Sequence, residues 1–163
     1  LASWMVVYLQ DSRNMNEALS NNYLAIFFGT MMLGRFLGSF FVKRVGYLRS
    51  IFIAVLFATA SLAIGIFTQS AIFIPLTGFF FSIIFPTLTA AVSDAEQENM
   101  NTILGVLFTF SGIGGMIGPW LVAWSSKVFG LQIGFTSTIL LTGLTLIFVF
   151  ILNQRSNLHG QNS

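Results

Sequence analysis

Apolar residues in this chain gather into long stretches, and charged residues fall almost entirely in the gaps between them. The stretches cover residues 22–42, 50–67, 71–92, 102–125 and 132–152. The length of each stretch is near the roughly 20 residues that an α-helix needs to cross about 30 Å of hydrocarbon. Residues 1–10 form a shorter apolar stretch that reaches about half way across. The pattern predicts five complete spanning helices, preceded by one in which the chain begins.

Composition supports a membrane protein and excludes several other classes. Hydrophobic residues make up 55% of the chain and charged residues 7%, whereas a soluble domain has about 25% charged residues. We therefore predict an all-α membrane protein built as a six-helix transmembrane bundle with its first helix truncated. The formal charge of +2 without an extended basic patch gives no indication of a nucleic-acid partner.

The gaps between the stretches alternate between the two sides of the membrane. Basic residues are more numerous on one side, which holds Lys43, Arg44, Arg49 and Arg155, than on the other, which holds Arg13 and Lys127. The positive-inside rule assigns the first side to the cytoplasm. We call this side the inner end and the opposite side the outer end. The inner end also carries the acidic residues Asp94, Glu96 and Glu98, so that either solvated loops or an ion pair between loops is expected.

Arg35 is the only charged residue inside an apolar stretch. A charge at the bilayer centre costs about 2.5–3.5 kcal/mol on insertion scales, so such residues usually face protein or a water-filled cavity. Gly34 and Gly38 lie beside Arg35 at the spacing that lets two membrane helices approach closely. Arg35 is therefore a candidate to bind solute, to form a gate, or to reach toward the inner surface.

Glycine and proline interrupt two other stretches. Gly114, Gly115 and Gly118 precede Pro119 and predict close helix packing. Pro119 and Pro86 each remove a backbone donor and predict a kink or a solvated carbonyl.

Aromatic and hydroxyl side chains also fall into patterns. Ser82 and Phe85 share one helix face, as do Trp4 and Tyr8. Aromatic rings beside hydroxyl groups suit a sugar, although aromatic residues at the membrane interface give the same pattern. In contrast, the stretches 51–67 and 133–152 are almost wholly apolar and are expected to face lipid.

Four segments resemble one transporter family. They are 3–9 (SWMVVYL), 32–44 (MLGRFLGSFFVKR), 78–87 (GFFFSIIFPT) and 112–120 (GIGGMIGPW). With them the chain resembles the C-terminal six-helix half of a major facilitator superfamily transporter, most closely the fucose permease-like sugar:proton symporters. It departs from the loop signature of the superfamily, because apolar Val42 stands where an acidic residue is expected.

The resemblance implies a half-domain over residues 1–152, followed by a polar cytoplasmic tail over 153–163. The complete transporter would have twelve helices and work by alternating access, with the missing N-terminal half, or a second copy of this chain, as partner. The first, second, fourth and fifth helices would line the cavity. The implied proton-binding carboxylates lie in the other half.

The leading hypothesis is secondary active transport of a small polar solute, sugar-like and proton-coupled. Candidate cavity residues are Trp4, Tyr8, Asn22, Arg35, Ser82, Phe85 and Thr109. The alternatives are efflux of amphipathic compounds and a membrane scaffold or sensor that transports nothing. The spanning stretches lack His, Cys, Asp and Glu, so we expect neither an enzyme nor a metal or cofactor site. We expect a multi-pass protein of a plasma membrane or bacterial inner membrane, with lipid around it.

Overall fold

Six α-helices account for most of residues 1–95 and 98–159, which the structure, a computed structural model, describes. In chain order they are α1 (Ala2–Arg13), α2 (Glu17–Val45), α3 (Tyr47–Phe67), α4 (Phe73–Ala95), α5 (Met100–Phe129) and α6 (Leu131–His159).

Short polar and glycine junctions separate the helices. The side chain of Asn16 accepts a hydrogen bond from the Leu19 amide at 2.8 Å and caps the start of α2. Gly46, with φ of 90°, is the single residue between α2 and α3, and Gly130, with φ of 89°, has the same place between α5 and α6. Since few other residues adopt such backbone angles, glycine permits these abrupt reversals.

Five of the helices, α2 to α6, are long and apolar enough to cross a membrane. This confirms the predicted fold class, a helical membrane bundle. The helices extend beyond most of the predicted apolar stretches, and α6 continues through His159. The backbone of residues 153–159, predicted as a polar tail, is therefore helical, and 160–163 lie outside the described residues.

Neighbouring helices in the bundle do not follow chain order. Helix α2 packs on α4, α4 on α3, α3 on α6 and α6 on α5, while α1 contacts both α2 and α6. Two hydroxyl groups join neighbours: Thr30 donates to the Pro75 carbonyl at 2.9 Å, and Ser61 donates to the Phe73 carbonyl at 2.8 Å.

Glycine brings α2 and α4 into close contact. Gly34 lies against the Phe79 carbonyl and the Ser82 hydroxyl, and Gly38 lies against the side chain of Ile83, so closely that an added Cβ at either glycine would overlap these atoms. Gly34 and Gly38 are thus the positions at which α2 lies closest to α4.

The largest hydrophobic cluster lies toward the outer end of the bundle. It combines the middle of α1, the last two turns of α3, the α3–α4 junction, the first turns of α4 and α6, and the outer half of α2, and its members are Met5, Tyr8, Leu9, Phe27, Leu62, Ile66, Ala71, Ile74 and Phe135. The Tyr8 ring stacks on that of Phe135 with centroids 4.1 Å apart. Since α1 contributes three of these side chains, the short helix is anchored along its length.

Arg13 joins α1 to the end of α3 above this cluster. Its Nη2 atom donates to the Tyr8 hydroxyl at 3.1 Å and to the carbonyls of Gly65 and Ile66 at 3.1 and 3.2 Å. The last carbonyls of a helix have no partner within the helix and carry partial negative charge. Arg13 therefore caps α3 with a cation from another helix.

The surroundings of two helices differ from what the sequence pattern indicates. The α3 helix was expected to face lipid, but half of its spanning window is buried between α4 and α6, and only one face remains exposed. Conversely, an added Cβ at Gly114, Gly115 or Gly118 would meet nothing within 4 Å, so the predicted close packing is absent among the described residues. Composition indicates that a helix face is apolar or small, but not which element covers it.

Replacing Gly34 with alanine tests the contact between α2 and α4. The Gly34→Ala variant should lose about 1–3 kcal/mol of unfolding free energy, because the carbonyl of Phe79 is backbone and cannot turn away from the new methyl group. Gly29→Ala, in the same helix with nothing within 4 Å, is the matched control and should be neutral or slightly stabilised. Thermal unfolding in detergent measures both, and equal midpoints for the two variants would contradict the contact.

Replacing Arg13 tests the cap on α3. Arg13→Met should lower the free energy of unfolding by about 1.5–3 kcal/mol, because charged hydrogen bonds to two carbonyls and a hydroxyl are lost. Arg13→Lys should recover part of this loss. Lys127→Met removes an exposed cation from the same end of the bundle and should have little effect. If the Arg13→Met and Lys127→Met variants have the same unfolding midpoint, Arg13 contributes no more to stability than a surface charge.

Candidate functional site

A stripe of polar side chains follows one face of α2 toward the inner end. Arg35, Ser39 and Lys43 recur at every fourth residue, so they lie one above another on the helix, and all three are exposed. The same spacing is visible in the sequence, but the apolar stretch ends at residue 42 and so predicts Lys43 in a loop. The structure extends α2 to Val45, which includes both residues in the helix.

This stripe forms one wall of a cavity of about 300 Å³ between α2 and α4, which we call the cationic groove. The opposite wall comes from α4, and Tyr47 of α3 stands at the inner end. Its lining residues are Arg35, Gly38, Ser39, Val42, Lys43, Tyr47, Ile83, Pro86, Thr87 and Ala90. Two cationic side chains and three hydroxyl groups therefore border a largely apolar space. Thr87 and Tyr47 carried no signal in the sequence, since their place depends on how α3 and α4 pack.

Arg35 also borders a second, shallower concavity toward the outer end. Its other lining residues are Phe28, Met31, Met32 and Phe36, all from α2. Methionine side chains are flexible and adapt to ligands of varied shape. Arg35 thus lies between a polar surface on its inner side and an aromatic and thioether surface on its outer side.

A side-chain contact joins α3 and α4 at the inner end of the cationic groove. The Tyr47 hydroxyl donates to the carboxylate of Asp94 in a short hydrogen bond. Asp94 is thus bonded to the hydroxyl group of Tyr47, which lies in the first turn of α3. Lys43, Arg44, Arg49 and Glu98 are exposed, while Glu96 lies outside the described residues.

The two candidates on α4 have different surroundings. Ser82 is buried against Gly34, and its hydroxyl donates to the Phe79 carbonyl at 2.7 Å. Phe85 is partly exposed, and its ring lies 5.5 Å from that of Phe108 on α5. Thr109 beside it is exposed, with its hydroxyl bonded to the Gly105 carbonyl. Ser82 is therefore part of the α2–α4 contact, whereas the side chains of Phe85 and Thr109 are exposed.

The two aromatic candidates on α1 are engaged by protein. The indole N–H of Trp4 donates to the Pro119 carbonyl at 3.1 Å and joins α1 to α5. Tyr8 is fully buried between Phe135 and Arg13, so it offers no surface to a solute in this structure. Asn22, near the outer end of α2, is exposed. The structure therefore does not bring these three residues to the cationic groove.

The glycine residues of α5 border a separate gap of about 430 Å³ between α1, α4, α5 and α6. Gly114, Gly115 and Gly118 line it together with Thr138 and Thr142 of α6. Pro119, also in this lining, lies within the continuous helix α5, as Pro86 lies within α4. Because glycine has no side chain, these three residues leave the space beside α1 open.

Metal-ligand clusters are absent from the part of the chain that the structure describes, where no three His, Cys, Asp or Glu side chains converge. The polar groups that line the cationic groove, Arg35, Lys43 and three hydroxyl groups, offer hydrogen bonding and charge attraction.

Comparison with known proteins assigns the family but no individual relative. The sequence profile of the Major Facilitator Superfamily, a family of membrane transporters, matches residues 1–163. Neither the curated proteins nor the solved structures yielded a match. The profile covers the whole chain, and five helices are able to span a membrane. The chain therefore belongs to the major facilitator superfamily, whose members are multi-pass membrane transporters.

Proposed function

We propose that the chain forms one half of a secondary active transporter for a small polar solute, sugar-like and proton-coupled, of the fucose permease-like branch. The observation that supports this most is the cationic groove, in which Arg35 shares a cavity of about 300 Å³ with Ser39 and Thr87. Cavities of this size, largely apolar with a few polar groups, are typical of small-molecule sites.

The groups around Arg35 suit a neutral, hydroxyl-rich solute. Guanidinium and hydroxyl groups donate hydrogen bonds to sugar oxygens, while Phe85 and Phe108 present aromatic surface at the nearby junction of α4 and α5. The apolar face of a sugar ring stacks on such rings. Because such a solute is neutral, Arg35 can bind it through hydrogen bonds without a carboxylate group to pair with its charge.

The proposal requires a second six-helix unit, which would close the cavity. Only 17% of the spanning window of α2 and 6% of that of α5 are buried, and these two helices carry Arg35 and Thr109. The interiors of the spanning helices hold no Asp or Glu. Proton coupling would therefore depend on carboxylates of the second unit.

Uptake into proteoliposomes tests the proposed transport directly. Vesicles containing this chain together with its second unit should accumulate a labelled monosaccharide when an inward proton gradient is imposed, and a protonophore should abolish accumulation. Vesicles with this chain alone should not accumulate it. If no monosaccharide accumulates under the gradient, the symporter assignment is rejected.

Variants of Arg35 test its part in solute binding. Arg35→Leu should raise the half-saturating sugar concentration by about 10- to 100-fold, because a charged hydrogen bond to the solute contributes about 1.5–3 kcal/mol. Arg35→Lys should retain part of the affinity, since a lysine still donates hydrogen bonds. Lys127→Gln, at an exposed site away from the groove, is the matched control. Unchanged uptake by both Arg35 variants would reduce Arg35 to a tolerated charge near the inner surface.

Efflux of amphipathic compounds is a second candidate function, favoured by the aromatic and methionine surface beside Arg35. Phe28, Met32 and Phe36 are exposed there, Met32 by 77%. Flexible apolar walls of this kind accept varied ligands. Survival of cells in the presence of amphipathic drugs separates the two functions: efflux predicts resistance that Met32→Ala reduces, whereas the symporter predicts no resistance.

A further inference from the structure

A second groove lies on the other side of the contact between α2 and α4. It has a volume of about 390 Å³ and is bordered by α2, α3 and α4, with Gly34 and Gly38 on one side. We call it the apolar groove, because its remaining walls are formed by hydrocarbon and aromatic side chains, among them Leu37, Phe41, Ile53, Phe57, Phe80 and Ile83. None of the lining residues is charged, in contrast to the cationic groove.

The walls of the apolar groove suit the hydrocarbon region of a membrane. All three helices that form it span the bilayer by length and composition. Leu37 and Phe57 on its rim are each 51% exposed, and exposed apolar side chains of spanning helices contact lipid tails. A flat face would contact many mobile tails, but a groove with a floor of glycine holds a single acyl chain on several sides.

Two arginine residues lie in register with this groove at the inner end. On α2, Leu37, Phe41 and Arg44 follow at spacings of four and three residues and so share a face. On α3, Arg49, Ile53 and Phe57 follow at spacings of four. Since only Gly46 separates the two helices, both arginines lie at the same mouth of the groove. Both are exposed.

Two described charges near this mouth are both engaged on the side of the cationic groove. Lys43 points to the cationic groove, which its side chain lines together with Tyr47. Asp94 accepts the hydrogen bond of the Tyr47 hydroxyl and is thus held on the side of the cationic groove. Arg44 and Arg49, which are exposed at the inner end and in register with the apolar groove, therefore present two positive charges at the membrane surface.

We propose that the apolar groove binds an anionic diacyl phospholipid of the inner leaflet. One acyl chain lies between α2 and α3, and the headgroup phosphate contacts Arg44 and Arg49. Basic sites between transmembrane helices on the cytoplasmic side are suited to anionic headgroups, and guanidinium groups bind phosphate through paired hydrogen bonds. The site is separate from the cationic groove, so this inference does not depend on which solute is transported.

Native mass spectrometry of the full chain in detergent tests this proposal. The protein is titrated with phosphatidylglycerol and with phosphatidylcholine of identical acyl chains. Phosphatidylglycerol should bind more tightly. Arg44→Gln should weaken its binding about fivefold, and the double variant Arg44→Gln/Arg49→Gln about twentyfold. Lys127→Gln, an exposed cation at the outer end, is the matched control and should leave the affinity unchanged.

The acyl-chain part of the proposal is tested by filling the groove. Ile53→Trp keeps both arginines but occupies the channel, so phosphatidylglycerol binding should fall at least tenfold, about the effect of losing two buried methylene groups. Leu140→Trp, on the exposed face of α6, is the control. If thermal unfolding shows that the Ile53→Trp variant is not folded, the same binding measurement is made with Leu37→Trp, on the exposed rim of the groove.

Three results would overturn the proposal. Equal binding of the two lipids would show that charge is not recognised. Unchanged phosphatidylglycerol affinity in the double arginine variant would remove Arg44 and Arg49 from the site. Competition by glycerol phosphate at the concentration at which phosphatidylglycerol saturates the protein would show that a headgroup alone is sufficient and that the groove holds no acyl chain.

Discussion

The close approach of α2 and α4 determines how the surface of this protein is divided. Gly34 and Gly38 of α2 allow this contact, because any side chain there would overlap Phe79, Ser82 or Ile83 of α4. Membrane helices gain little from the hydrophobic effect when they associate, so such packing has to come from close backbone contact. The contact fixes the rotation of α2, and with it the direction in which every other residue of that helix faces.

Two different grooves result from this rotation. Arg35 and Ser39 fall on one side of the contact and line the cationic groove, while Leu37 and Phe41 fall on the other and line the apolar groove. A charged side chain inside a membrane needs water or polar groups around it. The division therefore explains how α2 carries Arg35 in its interior while another of its faces is wholly apolar.

The anchoring of α1 is a second constraint on the proposed transport site. Tyr8 stacks on Phe135, and Arg13 reaches from α1 to the last carbonyls of α3. In an alternating-access transporter, helices that line the cavity must move together with the half to which they belong. The outer cluster and the Arg13 cap hold α1 to the other helices, so that under the proposed mechanism the six helices would move as one body.

The sequence predicted those features that depend on periodicity and composition. The number of spanning helices, the close-packing role of Gly34 and Gly38, and the isolated position of Arg35 all follow from local patterns. The surroundings of Tyr8 did not, because Arg13 meets carbonyls of α3 that are 52 and 53 positions away in the chain. The glycine residues of α5 have a spacing suited to packing, yet no neighbour among the described residues covers them. A pattern shows which residues share a face, whereas the partner of that face is set by tertiary structure.

Chemical labelling of single cysteine residues tests the division of α2 most directly, since the chain has no cysteine of its own. Ser39→Cys lies in the cationic groove, and Leu37→Cys lies in the apolar groove. In inverted membrane vesicles, a charged, membrane-impermeant thiol reagent should modify the cysteine at position 39 and spare that at 37. A lipid-soluble maleimide should modify the cysteine at position 37. Labelling of both positions by the charged reagent, or of position 37 alone, would contradict the claim that the α2–α4 contact separates a water-facing groove from a lipid-facing one.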